Sequence, residues 1–63
     1  MTDIRIENHG SLALFRPLND EARAHLEENV SEEAQWFGGA LAVEHRYVVG
    51  LAEALQGEGY EVG

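Results

Sequence analysis

Residues 35–44 read Gln35-Trp36-Phe37-Gly38-Gly39-Ala40-Leu41-Ala42-Val43-Glu44, the one near-continuous apolar run in the chain. Phe37, Leu41 and Val43 share one parity, and Trp36, Ala40 and Ala42 the other, so the run reads as a single strand covered on both faces. It is therefore expected to be the innermost strand of a small sheet. Gly38-Gly39 within it has no lysine, no G-x-G-x-x-G spacing and no helix to open, so it is not a phosphate loop. Its expected role is to admit a closely packed helix or to form a bulge.

Working outward toward the N-terminus, Ile4 and Ile6 alternate with Arg5 and Glu7, the pattern of a half-buried strand. Turn residues Asn8-His9-Gly10-Ser11 follow, and then a second apolar run, Leu12 to Phe15, that stops at Pro17. An antiparallel hairpin is expected, with Pro17 at an edge or a strand end. Asn19 is a good N-cap, and Asp20 and Glu21 put negative charge in a first helical turn, where the macrodipole favours it. The helix over residues 20–30 carries a stripe of Ala22, Leu26 and Val30. Asp20, Glu21, Glu27 and Glu28 centre about 160° away from Leu26 and collect on one solvent face. Residues 31–34 continue as a turn or a short helical start, adding Glu32 and Glu33 just before Trp36.

Toward the C-terminus, Glu44 and His45 open a second helix that runs to about Gln56. Its apolar face is Tyr47, Val48, Leu51, Ala52 and Leu55, with Leu51 and Leu55 packed on the central strand. Gly50 is explained by a close approach of this helix to the sheet, and Gly57 is placed as a left-handed cap. Tyr60-Glu61-Val62 alternates as a last short strand. The fold expected is α+β over one domain, residues 1–63: a small mixed sheet in ββαβαβ order with two helices packed on it.

Composition narrows the function more than any motif does. Twelve carboxylates face four arginines and no lysine, a formal net charge of −8. Direct binding of nucleic acid needs cations to neutralise phosphates, so it is not expected, and neither is attraction to an anionic membrane. A basic protein is the partner such a charge suits. The plainer alternative is an interaction module whose acidity serves only solubility. Without cysteine the chain has neither disulfides nor thiolate metal sites. No run reaches membrane-spanning length and residues 1–8 lack the features of a signal peptide, so a soluble cytoplasmic protein is expected.

Chemistry-bearing residues are few. His9, His25 and His45 belong to different elements and match no metal-ligand spacing, and Ser11 and Ser31 lie on no nucleophile turn. No catalytic residue, metal or cofactor is assigned. Glu27, Glu28, Glu32 and Glu33 form the densest group, four carboxylates within seven residues. Carboxylates on a helix surface are not desolvated, which argues against acid–base catalysis, and like charges four residues apart repel. A surface that tolerates this repulsion suits a basic counterpart. The partner-binding set is Asp20, Glu21, Glu27, Glu28, Glu32 and Glu33, with Trp36 either an adjoining apolar anchor or a core residue.

The segments Glu-Asn-His-Gly-Ser at 7–11, Gln-Trp-Phe-Gly-Gly at 35–39 and Val-Glu-His-Arg-Tyr at 43–47 resemble a group of short uncharacterised proteins of bacteria and their phages. That resemblance implies no activity. In size and acidity the chain is also similar to anti-CRISPR inhibitors, small proteins that block a Cas surface, sometimes by mimicking nucleic acid. This second likeness shares no motif and implies only a type of function: an acidic, non-enzymatic inhibitor of a nucleic-acid-binding or Cas protein.

Overall fold

Gly38 and Gly39 have φ of 56° and 81° in the computed structural model of the chain, which describes residues 1–30 and 33–63. Positive φ at both central residues is what a two-residue type I′ hairpin requires, and glycine adopts it without a Cβ clash. The apolar run is thus two strands, β3 (Trp36–Phe37) and β4 (Ala40–Glu44), with Trp36 opposite Leu41 and Phe37 opposite Ala40. This corrects the expectation of a single central strand. It also reverses the parity, because a two-residue turn sets Trp36 on the same face as Leu41 and Phe37 on that of Ala40.

The first hairpin forms as expected. β1 (Ile4–His9) and β2 (Leu12–Pro17) pair antiparallel from Ile4 opposite Pro17 to His9 opposite Leu12. Gly10, at φ 66°, takes the first central position of that turn. β2 then pairs antiparallel with β4, and the sheet order is β1-β2-β4-β3. Pro17 ends β2 beyond the stretch that β4 reaches, where its missing N–H costs no ladder bond.

α1 (Asp20–Asn29) follows β2 and α2 (His45–Gly57) follows β4, so the order is ββαββα and not ββαβαβ. The expected last strand is a single parallel bridge between Val62 and Ile4. Around it, Asp3 and Ile4 donate to the carbonyl of Glu61, and Gly63 donates to that of Ile4. All named strand pairs are antiparallel, so the sheet is mixed only through that bridge.

Both helices lie on one face of the sheet. Ile4, Phe15, Leu41 and Val43 from the strands meet Ala22 and Leu26 of α1 and Leu55 of α2 in one buried cluster, with Trp36, Leu51 and Val62 half-buried against it. The opposite face, carrying Glu7, Leu12, Leu14, Arg16, Phe37 and Ala42, has no helix over it. One solvated face is common in an antiparallel sheet.

Local signals account for the helix ends. Asn19 Oδ1 accepts from the Ala22 amide at 2.8 Å, the expected cap, while Asn19 Nδ2 donates to Asp3 Oδ1 at 3.0 Å. At the other helix, Gly57 stays helical and Glu58 is the C-cap, so the left-handed residue is Gly59, at φ 99°. Tyr60 N–H donates to Leu55 O and Gly59 N–H to Gln56 O, the two bonds of a Schellman motif. Two further expectations for α2 are corrected. Gly50 is exposed, and an added Cβ there would meet nothing within 4 Å, so no close approach explains it. Tyr47 is 55% exposed, leaving Leu55 as the fully buried residue of the helix.

Candidate functional site

The N-cap and the Ala22–Leu26 stripe set the rotation of α1, and that rotation turns Asp20, Glu21, Glu27 and Glu28 outward, all exposed. Among the described residues none of the four joins an ion pair. They divide into two flanks. Glu21 and Glu28 face the side of Tyr60, whose hydroxyl pKa is pushed above its ordinary value first by burial and then by Glu21, Glu58, Asp3 and Glu28. Asp20 and Glu27 lie on the flank shared with Arg23, whose guanidinium would be 3.4 Å from a Cβ built on Gly39. Arg23 likewise joins no ion pair among the described residues.

The remaining expected partner-binding residues fall elsewhere. Glu33 lies beyond the end of α1 and lines a shallow depression with Leu12, Gln35, Ala42 and Glu44, so it does not extend the helical face. Glu32 lies outside the described residues. Trp36 is half-buried against the core, on the helix-covered side of the sheet.

Beside the Glu21–Glu28 flank, α1 and α2 leave a groove of about 210 Å³. Its floor is Leu26, Leu51 and Leu55, and its polar edge is His25, Asn29 and Glu58. Asn29 Nδ2 donates to His25 O at 2.8 Å, and the His25 ring lies 4.8 Å from that of Tyr60. Glu58 caps α2, where the carbonyl ends already carry partial negative charge and no basic residue occupies the last turn. Sequence reading misses this groove because its two walls lie about 30 residues apart. The one local clue was Glu58-Gly59-Tyr60, a helix stop that leaves a carboxylate and an aromatic ring at the same end.

The histidines are dispersed. His9 Nε2 is 3.7 Å from Glu7 Oε1, His25 stands on Tyr60, and His45 Nε2 donates to Gly10 O. Among the described residues no group of three or more His, Cys, Asp or Glu side chains is arranged to hold a metal ion, and no helix is long and apolar enough to cross a membrane. Comparison with protein-family models, with curated proteins and with solved structures gives no match for this chain.

Proposed function

We propose that the protein is a binding module whose acidic helix layer engages a basic surface of a partner protein and, where that surface binds nucleic acid, inhibits by occluding it. The observation that carries this reading is the set of four exposed α1 carboxylates that, among the described residues, have no ion-pair partner. Net negative charge on a rigid element raises the association rate with an opposite surface, and salt screens it over about 8 Å at physiological strength. The whole chain, at −8, adds to the same field.

The test reverses charge on α1 and compares it with reversal elsewhere. Glu27→Lys with Glu28→Lys brings cations to a last helical turn that has none, so the helix dipole does not oppose the change. Glu53→Lys, on the exposed side of α2, is the control. Binding and inhibition are measured against a panel of nucleic-acid-binding proteins, Cas effectors first, at low and moderate salt, after circular dichroism confirms the fold. Loss of binding in the α1 variant alone, with steep salt dependence in the wild type, is expected. Equal binding by the α1 variant, or binding indifferent to salt, would leave the acidity to solubility and overturn the reading.

A further inference from the structure

The groove between α1 and α2 joins two chemistries that one kind of side chain satisfies together. Its floor is apolar and its edge carries a carboxylate: Leu26, Leu51 and Leu55 lie below Glu58 at the C-terminal end of α2, with the Glu21–Glu28 flank of α1 nearby. Arginine has both parts, a three-carbon stem that packs on apolar surface and a planar guanidinium that bonds carboxylates and carbonyls and stacks on aromatic rings. His25 supplies a ring at the groove, backed by Tyr60 at 4.8 Å, and neither Glu58, Glu21 nor Glu28 has an ion-pair partner among the described residues. Asp3 is excluded from this role, because its oxygens already accept from Asn19 Nδ2 and the Glu61 amide.

We propose that this groove is the specificity pocket of the binding surface and that it takes an arginine side chain presented by the basic partner, stem on Leu26 and Leu55, guanidinium at Glu58. The inference rests on the function proposed above, giving the diffuse acidic face a point of register. A long-range field sets the rate of encounter without selecting an orientation, whereas a desolvated pocket with a charged edge does select one.

The experiment uses the full chain, labelled with ¹⁵N, and three blocked tripeptides: acetyl-Gly-Arg-Gly-amide, its citrulline counterpart, which keeps the shape without the charge, and its norleucine counterpart, which keeps only the stem. Saturable amide shifts confined to His25, Leu26, Asn29, Leu51, Leu55, Glu58 and Tyr60 are expected with the arginine peptide, which binds about tenfold more tightly than the other two. Ala54→Phe fills the groove from an exposed helical position without touching the core, and Glu58→Gln removes the edge charge; each is expected to abolish the arginine preference at unchanged melting temperature. The groove assignment is overturned by shifts spread evenly over Asp20, Glu27 and Glu53, by equal binding of the norleucine peptide, or by an Ala54→Phe variant that binds as the wild type does. Such a result leaves the acidic face intact as a binding surface. Failure of the α1 reversal to weaken a partner overturns that surface instead, so the two proposals fail separately.

Discussion

The two sides of the sheet treat charge in opposite ways. On the open face Glu7 is the hub: Arg16 Nε and Nη2 donate to its two oxygens at 2.9 and 3.1 Å, Arg5 lies at 3.9 Å and His9 at 3.7 Å. Arg16 also donates to Gly38 O at 2.9 Å, so one side chain ties β1, β2 and the β3–β4 turn together. On the helix side the α1 carboxylates have no such partners among the described residues. The helix that carries excess negative charge is α1, with Asp20, Glu21, Glu27 and Glu28 against Arg23, while the Glu7 cluster on the open face is locally balanced. Charge on the open sheet face is paired within the fold, and the carboxylates of α1 are exposed.

The severest way to break this comparison is to remove what both sides share. Phe15 is completely buried between the strands and both helices, and Phe15→Ala should cost about 3–5 kcal/mol, a large part of the stability of so small a domain. Urea unfolding followed by both circular dichroism and tryptophan fluorescence should show one coincident transition at lower midpoint. Separate transitions would mean that the two sides do not share one core.

A second contrast makes the same chemical change on each side. Gly39→Ala forces a side chain into φ 81° at the β3–β4 turn and should destabilise by about 1–2 kcal/mol. Gly50→Ala adds a methyl in open space on α2 and should stabilise by about 0.5–1 kcal/mol. Melting temperatures that move in the same direction would contradict the turn or the helix assignment.

The smallest effect concerns pH. The Arg16 guanidinium, with help from His9 and Arg5, holds the Glu7 carboxyl below the usual carboxylate range, although partial burial opposes it. A depressed folded-state pKa contributes stability above the unfolded-state value and loses it as pH falls through the folded one. Glu7→Gln should flatten the acid limb of a plot of urea midpoint against pH, whereas Glu27→Gln, a surface change with no partner, should shift midpoints at neutral pH within about 0.5 kcal/mol. An acid limb unaltered by Glu7→Gln would show that the hub contributes nothing in solution.

Where a signal is local, residues alone suffice. Asn19 followed by two acids announces α1 within a residue of its true bounds, Ala22 and Leu26 mark its buried side, and the turn residues around Gly10 between an alternating run and an apolar run announce the first hairpin. At Gly38-Gly39 the local pattern misleads, because apolar residues on both sides of a two-residue turn imitate a fully buried strand. Glycine pairs are ambiguous between bulge, close contact and turn until the φ values are known. Gly57 is the stop that spacing suggests, but the left-handed residue is Gly59, where Tyr60 reaches the core and its amide bonds Leu55 O.

Composition and short-range spacing determine the net charge, the outward acids of α1, both helices and the antiparallel first hairpin, since capping, periodicity and macrodipole act within a turn or two of chain. Tertiary structure decided the β1-β2-β4-β3 order, the pairing of Glu7 with Arg16, the reduction of the last strand to one bridge, and the groove that brings Leu26 and His25 to Leu55 and Glu58. Each of these joins residues distant in sequence, and which distant pairs meet depends on how the whole apolar set is buried at once.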